Sequence, residues 1–172
     1  IHLSNRMLLN MATRDSLTDM LNRRAFFELV TPFHADGVRY RRPFSVVIID
    51  MDDLKAINDR DGHAMGDRAL LAVASCLEDC KRDSDLVARL GGDEFGMFLP
   101  NTDEEGAMAM LERLLERAED ELPRISVGVA SYPQHGEKLA TLMEHADHAM
   151  YSSKVAGGHR VSLSSEPQQL AS

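Results

Sequence analysis

Cysteine is nearly absent from this sequence: Cys76 and Cys80 are the only two in 172 residues. They lie four apart in a helical pattern. With no third or fourth sulfur they offer neither a disulfide framework nor a zinc site, and they read as reduced thiols of a cytosolic protein. An excess of base is missing too. Lys and Arg number 19 against 28 Asp and Glu, a net charge of −9, so no overall positive field draws in a phosphate backbone and a general nucleic-acid binder is excluded. A small anionic substrate would then need metal ions or local bases. No apolar run approaches the roughly 20 residues of a membrane span, no signal peptide is visible, and no internal repeat occurs. The first residue is Ile rather than Met, from which the expectation is a piece of a longer protein whose neighbour lies upstream.

What the chain does have is 44% apolar and 27% charged residues, a mix that suits one globular domain with a real core. Its pattern is organised around Arg89-Leu90-Gly91-Gly92-Asp93-Glu94-Phe95-Gly96. Asp85–Ala88 before it and Phe95–Pro100 after it read as strands, so the two glycines predict a tight hairpin. Glycine tolerates positive φ and lets another molecule approach the backbone. An acid pair on such a tip suits a metal ion and a phosphate; an acidic surface turn is the bland alternative. Phe44–Ile49 is continuous, β-branched and uncharged, as a buried central strand is. It runs into Asp50-Met51-Asp52-Asp53, which is either a metal-site rim or a solvated turn.

Helical periodicity is expected over Asn22–Val30, Gly66–Cys80, Asp103–Leu122 and Lys138–Ala156, with a helical turn at Leu54–Asp59. Arg14–Asp19 reads as a cap and turn. Pro32–Pro43 reads as a loop carrying a basic patch, Arg39, Arg41 and Arg42. Ile125–Tyr132 and Arg160–Leu163 read as strands, and Gly157-Gly158 caps the helix before the last one. Residues 1–13 are either the end of a stalk helix or an amphipathic leader, 14–163 form the globular domain, and 164–172 are a polar tail. The order β-α-β-β-α-β predicts an α+β fold of the split βαβ, ferredoxin-like plan: an antiparallel central sheet flanked by helices, mainly on one side. In that plan Asp50 and the Asp93-Glu94 pair share one site.

These residues resemble the GGDEF domain of diguanylate cyclases. The resemblance rests on Gly91-Gly92-Asp93-Glu94-Phe95, on Asp15-Ser16-Leu17-Thr18 with Asn22-Arg23-Arg24, and on Asp50-Met51-Asp52 with Lys55. It extends to Asn58-Asp59, Gly62-His63, Gly66-Asp67, Ser126-Val127-Gly128-Val129 and Ala146–Lys154, covering roughly residues 14–160. It implies a fold like the polymerase palm and the nucleotide cyclases. It also implies condensation of two GTP into cyclic di-GMP and two pyrophosphates across a homodimer.

By the same resemblance Asp50, the Met51 carbonyl, Asp93 and Glu94 would hold Mg²⁺ or Mn²⁺, two per GTP. Asp93 would act as base or only as ligand, and Lys55 and Lys154 would neutralise phosphates. Gly92 would lie against the nucleotide, Asn58 and Asp67 would read guanine, and His63 would lie near the sugar or base. Arg82 and Asp85, an Arg-x-x-Asp run ahead of the hairpin, would bind cyclic di-GMP as inhibitor, with Arg113 adding a contact. An upstream sensory domain, a cytoplasmic location (with a membrane anchor upstream in the full-length protein allowed), no nucleic-acid partner and no membrane contact by this segment complete the expectation. Three residues depart from the family pattern: Asp19 replaces a usual Gly, Leu54 a usual Phe, and Gly158 a phosphate-contacting Arg for which His159 or Arg160 would have to substitute. The competing readings are a regulatory module that binds GTP or cyclic di-GMP without turnover, and a nucleic-acid polymerase palm.

Overall fold

The computed structural model describes residues 12–118 and 123–165. The stalk expected over residues 1–13 and the tail over 164–172 lie almost wholly outside them. The described elements run β1 (Leu21–Asn22), α1 (Arg23–Arg39), β2 (Phe44–Met51), α2 (Leu54–Asp61), α3 (His63–Cys80), β3 (Leu86–Arg89), β4 (Glu94–Pro100), α4 (Glu104–Ala118), β5 (Ile125–Tyr132), α5 (Leu139–Val155) and β6 (Arg160–Leu163).

One six-stranded sheet has the order β1-β3-β4-β2-β5-β6. Its four central strands are antiparallel, whereas both edge pairs, β1–β3 and β5–β6, are parallel. The architecture is the expected α+β one, with a correction to its layers. Helices cover both faces of the sheet, not mainly one. On one face Val47, Ile49 and Met51 of β2 pack with Leu70, Val73 and Leu77 of α3 and Leu111 and Leu114 of α4. On the other, Val46 and Ile48 pack with Phe26 and Val30 of α1 and Leu142, Ala146 and Met150 of α5. The continuous apolar run of β2 is the reason: all eight of its residues are buried, so both pleat faces need cover.

A second correction concerns Pro32–Pro43. Helix α1 runs through Pro32 to Arg39. A proline at 32 removes the bond its N–H would make to the Glu28 carbonyl, but this segment is exposed and water can satisfy that carbonyl. Thr31 Oγ donates to the Phe27 carbonyl at 2.7 Å. Buried Phe26 and Val30 hold the helix to the sheet. The expected helix at Leu54–Asp59 and the next one are divided by Gly62, at φ 87°, and α3 begins at His63, three residues earlier than periodicity placed it. Among the described residues no helix is long and apolar enough to cross a membrane.

Candidate active site at the end of the central strand

Strand register builds the site. β2 pairs with β4 so that Asp50 lies opposite Glu94, and with β5 so that Asp50 also lies opposite Ser126. The Met51 N–H donates to the Asp93 carbonyl at 2.9 Å, so the hairpin tip is tied directly to the end of β2. Neither Gly91 nor Gly92 adopts positive φ, so their conformational freedom is not what the turn uses. A Cβ on Gly92 would meet nothing within 4 Å, which leaves that backbone bare toward solvent.

The carboxylates here are crowded. Asp50 is buried, at 8% exposure. Its carboxyl is pushed above the usual range by burial, and the charges of Asp93 and Asp52 add to this against the hydrogen bond and charge of Lys154. Glu94 is pushed up by burial first, then by Asp147 and Asp50. From the last turn of α5, Lys154 Nζ reaches Asp50 Oδ1 at 2.5 Å. Burial works against the charge of that ammonium, but Asp50 outweighs it and raises its pKa. Among the described residues no three His, Cys, Asp or Glu side chains are gathered closely enough to hold a metal ion. The donors are all oxygens, which suits Mg²⁺ or Mn²⁺. Their mutual repulsion, relieved at Asp50 by Lys154, is what a bound cation would remove. The chemistry of the donors therefore suits such an ion, although in this arrangement the carboxylates are not drawn together around one point and Asp50 is paired with Lys154.

Two clefts flank the carboxylates. One, of about 440 Å³, is lined by Leu54, Lys55, Asn58, Asp59, His63, Gly92 and Asp93. It brings together Lys55, Asn58, His63, Gly92 and Asp93 from the sequence expectation. Asp67, exposed on the first turns of α3, is not among the residues that line it. The other, of about 270 Å³, is lined by Asp52, Asp53, Arg124, Lys154, Gly157 and Gly158. Here Asp52 accepts from Ser126 Oγ at 2.8 Å and from the His159 N–H at 3.0 Å, pinning the turn after α5. Gly158 has φ 71°, and a Cβ there would come within 2.6 Å of Asp52 Oδ2. A side chain here would be strained by this φ and would have to displace the Asp52 carboxylate. His159 and Arg160, the expected substitutes, do not line the cleft. Arg124 does, and its Nη2 donates to the Gly157 carbonyl at 2.8 Å. Sequence reasoning missed Arg124 because it stands just before a strand, with nothing local to mark it.

Arg89, which opens the central run of the sequence and ends β3, was given no role there. Its Nη1 meets Asp15 Oδ1 at 3.1 Å, while Nε donates to the Gly91 carbonyl at 3.1 Å and Nη2 to the Gly92 carbonyl at 2.7 Å. Asp15 in turn accepts from the Thr18 N–H and hydroxyl at 2.9 and 2.8 Å. Burial alone would raise the Asp15 carboxyl, but these donors and Arg89 hold it below the usual range. Thus the Asp15–Thr18 turn and the hairpin tip are one unit, bridged by one guanidinium. Replacing Arg89 by Ala should lower stability by about 1–2 kcal/mol, because charge-assisted hydrogen bonds are lost. Arg89→Lys should not restore it, since a point charge cannot serve three acceptors in one plane. Thermal unfolding of the two variants checks this. The departure at Asp19 is also explained: its φ is 56°, a left-handed position at which Asp is tolerated.

The Arg-x-x-Asp run lies in the turn before β3. Asp85 is buried at 3% exposure. Its Oδ2 accepts from the Arg82 N–H at 2.8 Å, and its buried Oδ1 has no hydrogen-bond partner. Its carboxylate is thus turned inward to close the loop, while Arg82 and, on α4, Arg113 are exposed.

Comparison with known proteins agrees with this architecture. The family model described as "Diguanylate cyclase, GGDEF domain" matches residues 12–160. Diguanylate cyclase A of Treponema denticola is 37% identical over 177 residues, covering 95% of this chain and 47% of that protein. The chain spans less than half the length of the curated relatives it matches. The crystal structure of the coiled coil and GGDEF domain of DgcB from Caulobacter crescentus, in complex with c-di-GMP, superposes with a TM-score of 0.84 at 28% identity, covering 94% of this chain and 91% of that one. The GGDEF domain of TpbB (also called YfiN) from Pseudomonas aeruginosa superposes with a TM-score of 0.84 at 34% identity, covering 88% and 94%. With the strand-end carboxylates, the bare hairpin tip and the fold all agreeing, the chain belongs to the GGDEF-domain family of diguanylate cyclases.

Proposed function

We propose that this chain is a metal-dependent diguanylate cyclase that joins two GTP into cyclic di-GMP with release of two pyrophosphates. The observation that carries the reading is the β2–β4 register, with Asp50 opposite Glu94 and Asp93 bonded through its carbonyl to Met51, beside a cleft that holds Lys55, Asn58 and His63. Asp50, the Met51 carbonyl, Asp93 and Glu94 would hold Mg²⁺ or Mn²⁺, two per GTP. When bound, such ions supply charge neutralisation at the phosphates and ease ionisation of the attacking hydroxyl. Asn58 and Asp67 take the guanine, whose N1–H and N2–H donors suit a carboxylate acceptor. His63 lies by the sugar or base, and Gly92 leaves room for the nucleotide against the backbone. Lys55 sits at one side of the carboxylates, and Lys154 with Arg124 at the other, so that the triphosphate is neutralised along its length. Arg124 takes over the charge that a side chain at 158 would have carried.

One chain holds one GTP. The 3′-oxygen of each GTP attacks the α-phosphorus of the other, its proton leaves toward Asp93, and pyrophosphate departs. Catalysis therefore needs two chains face to face. Arg82, with Arg113, grips cyclic di-GMP in a product-inhibited state; Asp85, buried in the loop as it stands, would have to turn outward to take the guanine donors.

The test is to incubate the purified chain with GTP and Mg²⁺ at several protein concentrations and separate the products by chromatography. Cyclic di-GMP should form at a rate rising faster than linearly with protein. It should stop below completion, and Arg82→Ala should abolish that plateau. A covalently paired chain that still makes no product, yet binds GTP or cyclic di-GMP, would make this a regulatory module instead.

A further inference from the structure

Gly66 has no chemistry of its own, yet the geometry around it is tight. It lies buried in the first turn of α3. A Cβ built on it would fall 1.9 Å from Asn58 Oδ1 and 2.9 Å from Asn58 Cγ, with Leu54 Cδ1 at 3.2 Å. Asn58 Oδ1 is buried there without a hydrogen-bond partner. Asn58 stands near the end of α2, and its carbonyl accepts from the Gly62 N–H at 2.9 Å. Gly62, at φ 87°, then turns the chain so that the first turn of α3 lies back against Asn58. The Asn58 side chain also lines the cleft with Lys55, His63, Gly92 and Asp93.

We infer that Gly66 is a positioning residue for nucleotide recognition: its missing side chain is the seat that holds the Asn58 carboxamide at the cleft wall. This inference rests on the proposed role of Asn58 toward guanine. A buried amide oxygen without a donor is an unfavourable state, and here that oxygen occupies the space a Cβ at 66 would fill. A methyl group at 66 would not strike backbone. It would strike the far end of one side chain, which can rotate away. Alanine is also the better helix former. The substitution Gly66→Ala therefore evicts the carboxamide and leaves the helix standing.

The experiment compares Gly66→Ala, Asn58→Ala and the double variant of the full chain, by thermal unfolding and by GTP and ATP titration with Mg²⁺. The expected result is that Gly66→Ala melts at or above the wild-type temperature, weakens GTP about tenfold, the size of one lost hydrogen bond, and narrows the preference over ATP. The double variant should bind GTP no more weakly than Asn58→Ala alone, since no carboxamide is left to displace. Should Gly66→Ala unfold, rescue of its melting temperature by Asn58→Ala would still show the contact. Wild-type GTP affinity in Gly66→Ala, or a double variant weaker than Asn58→Ala, would overturn the inference while the guanine reading stands. Wild-type affinity in Asn58→Ala would overturn both.

Discussion

Glu94→Gln should remove three orders of magnitude or more of GTP turnover and, at the same time, raise the melting temperature of the metal-free chain. The first effect follows from the proposed ligand role. Metal ions supply several kcal/mol of charge stabilisation to phosphoryl transfer, and each 1.36 kcal/mol is tenfold in rate. The second follows from crowding. The Glu94 carboxyl is pushed up by burial, then by the charges of Asp147 and Asp50. The folded chain thus holds that proton more tightly than the unfolded chain does. Stability falls as pH rises from the ordinary carboxylate value through the raised one, and at neutral pH the ionised group is a net cost. An amide of the same shape removes the charge and the cost, by an amount that solvent screening keeps modest because Glu94 is only half-buried. Mg²⁺ should stabilise the wild-type chain by mass action. That increment should shrink as pH falls into the raised carboxyl range, where protons compete with the ion, and should be weaker in Glu94→Gln. A melting temperature below wild type in the metal-free variant would mean that Glu94 stabilises the fold rather than straining it.

Gly128→Ala should destabilise the domain by about 3 kcal/mol or more, among the larger effects a single methyl group produces. Gly128 sits in the middle of β5, paired with Ile48 on one side and Ser162 on the other, so the strand cannot move aside. A Cβ there would lie 2.0 Å from the Ala146 carbonyl oxygen and 2.1 Å from the Met150 nitrogen. Both are backbone atoms of α5, and no rotamer change clears them. The helix must lift off the sheet. Ser153 Oγ, which donates to the Val127 carbonyl at 2.8 Å, goes with it, as does Lys154 one residue on. Urea or thermal unfolding measures the loss, expected as a drop of roughly 6–12 °C for a domain of this size. A drop of less than about 2 °C would show that α5 can slide along β5 without loss of packing.

The contrast between these two positions shows where the sequence was readable. Glu94 follows two glycines between two apolar runs, and Asp50 ends a run of β-branched residues. Such signals are local, and they placed β3 to β6 to within a residue and named the carboxylates that the register brings opposite each other; β2 runs two residues further than expected, through Asp50 to Met51, and the two-residue edge strand β1 was not anticipated. The order of elements was legible for the same reason. The helix through Pro32 was not, because tertiary burial of Phe26 and Val30 overrode a local breaker. Cover on both faces of the sheet was implied by the continuous apolar strand, yet the split-βαβ analogy pointed to one face.

The sequence alone determined the chemistry available: an acidic chain with oxygen ligands at a strand end and a hairpin tip, and lysines and a carboxamide at recognisable spacings. The tertiary structure decided which of these groups meet. Lys154 lies 104 positions from Asp50 and pairs with it. Arg89 joins a hairpin tip to a turn 74 positions away. Arg124 lines the cleft beside Gly158 and bonds the Gly157 carbonyl, and Asn58 Oδ1 lies where a Cβ at 66 would be. Periodicity and turn chemistry act over a few residues and are written in order along the chain. Contacts between distant residues follow from how strands register and helices pack, and the linear order does not carry them.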